Sequence, residues 1–92
     1  MRTWLRSEDN VPEVLIHYFA QVRDRLGREH DRVTLPHTVD APTILAAVQA
    51  QHPLHAALID HCRVAVDLQF ITTAVALSEN SEIALIPPVS GG

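Results

Sequence analysis

The chain predicts an α+β fold, a mixed sheet of four to five strands packed on one face against one main helix. Three observations carry this. Short β-branched apolar runs recur at "VLIHYFA", "HDRVTLP", "RVAVD" and "EIALIPP", and one well-punctuated helical stretch, "DAPTILAAVQAQHP", divides the first two runs from the last two. Hydrophobic residues make up 47% of the 92 residues, which suits a packed core and argues against disorder. A chain of this length is one domain, and folding removes about 60–65% of its unfolded surface from water.

Taken in order, residues 1–12 are polar and irregular, end at Pro12, and read as an N-terminal extension in which Trp4 is the one large anchor. Val14–Ala20 reads as a largely buried strand. "QVRDRLG" follows, with Val22 and Leu26 four apart and Gly27 placed to close a short helix. His30–Pro36 alternates Val33 and Leu35 against polar neighbours and pairs with the first strand as a hairpin-like unit. Asp40 is the expected N-cap of the main helix, with Pro42 tolerated in its first turn. Ile44, Leu45 and Val48 share one face, and Pro53 stops or kinks the helix. "LHAALIDHC" reads as another short helical piece. Arg63–Asp67 is a strand, "QFITTAVALS" is extended, and "ENS" is a turn in which Asn80 is expected to adopt the left-handed conformation. In the last strand Ile83 and Leu85 share one face, and Ala84 and Ile86 the other.

A β-hairpin, a crossover helix and further strands form the arrangement of the β-grasp, or ubiquitin-like, fold. The division of the chain is then an extension over 1–12, a β-grasp domain over 13–86 and an extended tail over 87–92.

Charge narrows the function classes. Eleven Asp and Glu against seven basic residues give a net charge of −4, which disfavours nucleic acid or an anionic membrane as partner. All seven basic residues are arginine, so no internal lysine amine could capture an activated acyl group. A lone cysteine, Cys62, forms no internal disulfide and fits a reducing compartment. No run is long enough to span a membrane, and "MRTWLRSEDN" lacks the apolar core of a signal peptide, so cytoplasm is the expected location.

Internal chemistry is hard to find. Of six histidines, His52, His55 and His61 are closest in sequence, but no thiol or acidic ligand spacing accompanies them and no metal site is expected. His17 lies in an apolar strand and reads as a packed or edge histidine. Cys62 needs a neighbouring base to become a nucleophile. His61 is adjacent, but consecutive residues of an extended chain point to opposite faces, so a buried structural thiol is expected. The three glycines include no phosphate-binding loop.

The C-terminus "IALIPPVSGG" is different. Pro87 and Pro88 cannot continue a central strand and turn the chain away in an extended form. Residues 87–92 could reach about 20 Å at ~3.3–3.6 Å per residue. Gly91 and Gly92 lack Cβ atoms, fit a narrow channel and leave the terminal carboxylate sterically open. These residues alone leave two readings open, a frayed end and a working one.

"YFAQVRDRLG" near the start and "EIALIPPVSGG" at the end resemble the small, sulfur-carrier subunit of molybdopterin synthase, over about Val14 to Gly92. "RVAVD" stands where that family usually has a similar strand ending in Asn. The resemblance implies a β-grasp fold whose terminal Gly92 is adenylated by an activating enzyme using ATP and magnesium. A sulfur donor protein then supplies sulfur, giving a thiocarboxylate. It also implies that this tail enters the large catalytic subunit, in a heterotetramer, and gives sulfur to cyclic pyranopterin monophosphate. Gly91 is then the slender neighbour of the carrier, Pro87 and Pro88 set the tail's direction, and Phe70 and Ile86 dock partner proteins. The chain itself is expected to bind no cofactor. Other β-grasp carriers, serving thiamine, cysteine or tRNA thiolation, share the tail chemistry, and a ubiquitin-like binding module with an unmodified tail is a further alternative. Three departures stand out: Asp67 in place of Asn, a glycine-free "SENSE" (Ser78–Glu82) expected to make a wider turn, and the first dozen residues.

Overall fold

In the computed structural model, which describes residues 12–88, strand alternation sets the architecture. The elements are β1 (Glu13–Tyr18), α1 (Ala20–Leu26), β2 (His30–Thr34), β3 (Thr38–Val39), α2 (Ala41–Gln51), a single 3-10 turn (Pro53–His55), α3 (Ala56–Asp60), β4 (Arg63–Val66), β5 (Gln69–Phe70), β6 (Val75–Ala76) and β7 (Glu82–Ile86). Five strands form one mixed sheet in the order β2-β1-β7-β4-β5. β1 and β7 pair in parallel and the other neighbours antiparallel. The expected extension and its Trp4 lie outside the described residues except for Pro12. Pro12 is buried, and its carbonyl accepts the Leu35 N–H at 3.1 Å, lengthening the β1–β2 pairing.

One face of the sheet carries the core. Val14, Ile16 and Tyr18 of β1, Val64 and Val66 of β4, and Ile83 and Leu85 of β7 all point to it. Ile44 and Val48 of α2 and Ile59 of α3 close over them, each wholly buried, while Leu45 is only partly covered. Each such aliphatic side chain contributes about 1.5–3 kcal/mol by leaving water.

Local chemistry fixes the helix ends. Gly27 ends α1 in the left-handed region at φ 75°, its N–H donating to the Arg23 carbonyl at 2.9 Å. A Cβ there would meet nothing within 4 Å, so the demand for glycine is conformational and not steric. Asp40 caps α2, its Oδ1 accepting from the Thr43 N–H at 3.0 Å and the Thr43 hydroxyl at 2.7 Å. Those bonds hold its carboxyl below the usual range. α2 ends at Gln51, two residues before Pro53.

Three expectations need correction. "QFITTAVALS" is not one strand: it divides into β5 and β6, and β6 pairs with β3 in a separate two-stranded sheet. Asn80 is not left-handed; the positive φ values of non-glycine residues are at Ala20, Asp67 and Leu68. The glycine-free 78–82 turn is not widened. The Ser81 N–H donates to the Ser78 carbonyl at 3.1 Å, and the Ser78 N–H donates to the Ser81 hydroxyl at 3.0 Å. Serine side chains close a tight turn without a left-handed residue, so no glycine is required.

Asp67 answers the departure from Asn. Its N–H donates to the Glu82 carbonyl at 2.8 Å, and its Oδ1 accepts the Glu82 N–H at 2.9 Å. The bond requires an acceptor oxygen, which a carboxylate supplies as well as an amide does.

A buried polar cluster ties β2 to α2. Asp31 Oδ2 accepts from the Tyr18 hydroxyl at 2.7 Å and lies 2.7 Å from His52 Nε2, and Arg28 Nε is 2.9 Å from Oδ1. Burial pushes the Asp31 carboxyl up, but the bonds from His52 and Tyr18 and the Arg28 charge outweigh it, and the net shift is downward. Burial and the Asp31 bond push the Tyr18 hydroxyl far up, so it remains a donor. An acid with a depressed native pKa stabilises the fold above its unfolded value of about 3.9, and that contribution is lost as pH falls through the lower native value. Replacing Asp31 by Asn is expected to cost about 1–3 kcal/mol at pH 7. It should also flatten the fall in stability below about pH 4. Urea unfolding across a pH series checks both; parallel profiles for the two proteins would contradict the assignment.

Candidate functional site

The outward face of the sheet is built by the alternate residues of the same strands. In register across it, His17 lies beside Ala84, Ala84 beside Ala65, and Ala65 beside Phe70, while Arg63 lies beside Ile86. Small side chains in the middle strands leave a floor, and larger ones rise around it. The result is an apolar groove of about 350 Å³, walled by Phe19, Leu68, Phe70 and Ile86, with Glu82 at one end. Phe19 and Phe70 are nearly half exposed, and Leu68 is 97% exposed. The guanidinium carbon of Arg63 lies 3.8 Å from the centre of the Phe70 ring, a cation–π contact that covers one side of the aromatic and leaves a positive rim.

The structure brings Phe70 and Ile86 together on this one face, with Ile86 half-buried. Ile86 is also the last residue of β7; Pro87 after it is buried and Pro88 exposed. The tail therefore departs from the edge of the groove. Gly91 and Gly92 lie outside the described residues.

Two wall residues escaped the sequence reading. Phe19 was absorbed into a continuous strand, although strict alternation from His17 already placed it on the outward side. Leu68 fell between two assigned segments. The signal was the spacing: two residues, Asp67 and Leu68, join the paired strands β4 and β5. Their φ values are 51° and 75°, the pattern of a type I′ hairpin turn, which normally selects Asn or Asp followed by Gly.

His52 and His61 are hydrogen-bonded and Cys62 faces inward, whereas His17 is not satisfied. His17 faces outward with its ring 6.0 Å from that of His30, and its Nε2 is buried without a hydrogen-bond partner. Among the described residues no three His, Cys, Asp or Glu side chains converge as metal ligands would. His61 and Cys62 lie at the end of α3 and not on a strand, which changes the reason they are separate. The His61 Nδ1–H donates to the Ala57 carbonyl at 2.7 Å, and the Cys62 thiol turns inward to the Leu58 carbonyl at 3.5 Å. Burial pushes the thiol up to about 11. Thiolate is the reactive form, so native Cys62 is expected to resist alkylation by iodoacetamide at pH 8 and to react fully once urea unfolds the chain. Rapid labelling of the folded protein would overturn its structural assignment.

Comparison with known proteins agrees with this geometry. Over 82 residues the chain is 28% identical to the molybdopterin synthase sulfur carrier subunit of Chlamydomonas reinhardtii, covering 87% of this chain and 99% of that one. The crystal structure of SAMP1, a small archaeal modifier protein from Haloferax volcanii, superposes with a TM-score of 0.70 at 26% identity, over 87% of this chain and 99% of the other. A complex of subunits 1 and 2 of the molybdopterin-converting factor of Helicobacter pylori shares the fold, with a TM-score of 0.62 at 22% identity, over 87% of this chain and 99% of the matched one. No helix among the described residues is long and apolar enough to cross a membrane. The molecule has the ubiquitin-like β-grasp fold, the ThiS family model matches residues 16–92, and the chain belongs to the ThiS family.

Proposed function

We propose that this chain is the sulfur-carrier subunit of molybdopterin synthase, working through the carboxylate of Gly92. The observation that carries the reading is the coincidence of the apolar groove with the root of the tail: Ile86 belongs to both. An activating enzyme would bind the face and attack ATP, as its magnesium complex, with the Gly92 carboxylate. Pyrophosphate leaves and a mixed anhydride with AMP remains. A sulfur donor at the oxidation level of sulfide then displaces AMP, leaving the thiocarboxylate. Presented to the large catalytic subunit, that sulfur is the nucleophile given to cyclic pyranopterin monophosphate. The chemistry asks no acid or base of the carrier, which is consistent with the capped His61 and the inward Cys62. The complex of subunits 1 and 2 known for the Helicobacter pylori relative supports the large subunit as a partner.

SAMP1 favours a second reading, in which the activated carboxylate is passed to amines of other proteins. The absence of lysine from this chain suits that chemistry as well.

Two experiments test the proposal. Incubation with the activating enzyme, ATP, magnesium and a sulfur donor should raise the intact mass by about 16 Da, one oxygen replaced by sulfur, with the change mapping to Gly92. No shift, or a shift at Cys62, would sink it, and adducts on lysines of other proteins would move the weight to the second reading. Deleting Gly92 should abolish the shift with little change in melting temperature. For docking, Phe70→Ala and Ile86→Ala should each weaken binding of the large subunit by about 1–3 kcal/mol. Their unfolding cost should stay below the ~2–5 kcal/mol of a truncated core aliphatic. Large unfolding losses with unchanged affinity would return both to a purely structural role.

A further inference from the structure

Leu68 is held in a conformation that works against it. At φ 75° its Cβ crowds the backbone, a region that bulky residues avoid and that the second position of a type I′ turn usually gives to glycine. Its side chain is 97% exposed, so the free domain gains no burial from it. Neither the turn nor the core accounts for a leucine here. The other left-handed residues flank the same groove: Asp67 precedes Leu68 in the turn, and Ala20 follows Phe19 on the opposite wall. Backbone strain of this kind persists where the surroundings enforce it, and it gathers at ligand clamps and binding sites.

We infer that Leu68 is an anchor for the partner subunit, projected by the strained turn into an apolar hollow of the same large subunit that covers Phe70 and Ile86. The inference rests on the docking reading above and extends it to a residue that reading does not use. The occupant follows from continuity: Leu68 and Phe70 wall one groove, so a subunit that covers Phe70 must pass over or receive Leu68. The chemistry of the recess follows from the turn. The carboxylate of Asp67, the nearest charge along the chain, is already engaged by the Glu82 N–H, so the tip offers the partner an aliphatic group on a fixed stem. A stem already fixed by the hairpin loses little freedom on binding, which favours affinity.

The signature is a pair of effects with opposite signs. Leu68→Gly and Leu68→Asn relax the turn, so the urea midpoint of the free domain should hold or rise. Affinity for the purified large subunit from the same organism, measured by calorimetry on the full chain, should fall about tenfold. Leu68→Met keeps the aliphatic reach and should bind nearly as the parent does. Phe70→Ala is measured alongside. If Phe70→Ala weakens binding and the Leu68 variants do not, the anchor is overturned and the docking face stands. If none of them weakens binding, the docking reading falls as well. If both turn variants unfold at lower urea, the leucine serves the fold and the inference fails. Sedimentation of the free protein covers the remaining occupant: a dimer that Leu68→Gly dissociates would assign the leucine to a second copy of this chain and overturn the proposal.

Discussion

Tyr18 and Leu85 stand side by side because the first and last strands of the domain pair in parallel at the centre of the sheet. A parallel pair cannot be closed by a tight turn, so everything between β1 and β7 must cross over and return. That one pairing brings the root of the tail to the middle of the molecule. It places β7 between β1 and β4, with Ile83 and Leu85 committed to the core. Because side chains alternate, the same commitment sends Ala84 and Ile86 to the outward face. A slip of one residue would bury Ile86 and expose Leu85, and would destroy both the core and the groove.

The two faces of the sheet then separate stability from contact. The core side holds nearly all the fully buried aliphatics, together with the Asp31 cluster that joins β2 to the end of α2. The outward side carries small residues in its centre, aromatic and branched residues around them, and the Arg63 guanidinium on Phe70. An isolated domain has little reason to keep such a surface in water, and apolar patches bordered by charge mark places where another molecule sits. Ile86, at the rim of that surface, is also the last residue of β7, so the groove and the start of the tail share a residue.

How far the sequence could be read follows from the range of each interaction. Strands β1, β2, β4 and β7, the Gly27 cap, the Asp40 cap and the stop before Pro53 were legible, since each depends on neighbours a few residues apart. That Ile86 leaves the core face was legible too, because alternation within the last strand is local. The β3–β6 pair was not. Two residues on each side, paired across 36 and 38 positions, carry no periodicity, and their pairing is decided by where the crossover leaves them. The 78–82 turn misled because glycine is the usual mark of a tight turn, whereas Ser78 and Ser81 close this one through their hydroxyls. Asp67 misled in the opposite sense: it departs from the amide of the family pattern yet supplies the acceptor that Glu82 needs.

The turn at Asp67 and Leu68 shows what local rules conceal. Read by propensity, an Asp-Leu pair is a poor two-residue connection, since left-handed backbone at a leucine costs on the order of 1–2 kcal/mol. The strands on either side override that preference. Val66 pairs with Gln69 and Ala65 with Phe70, leaving two residues to reverse the chain, and the right-handed twist of the strands admits only the mirror-image turn types. The Glu82 N–H on the Asp67 carboxylate then fixes the first half of the turn to β7. The conformation of Leu68 is thus imposed by the sheet and not chosen by the residue. Its side chain projects into water beside the groove, on the same side of the hairpin as Phe70. Leu68 gains no burial from its own fold, and the contact that would use it is a partner lying over the groove.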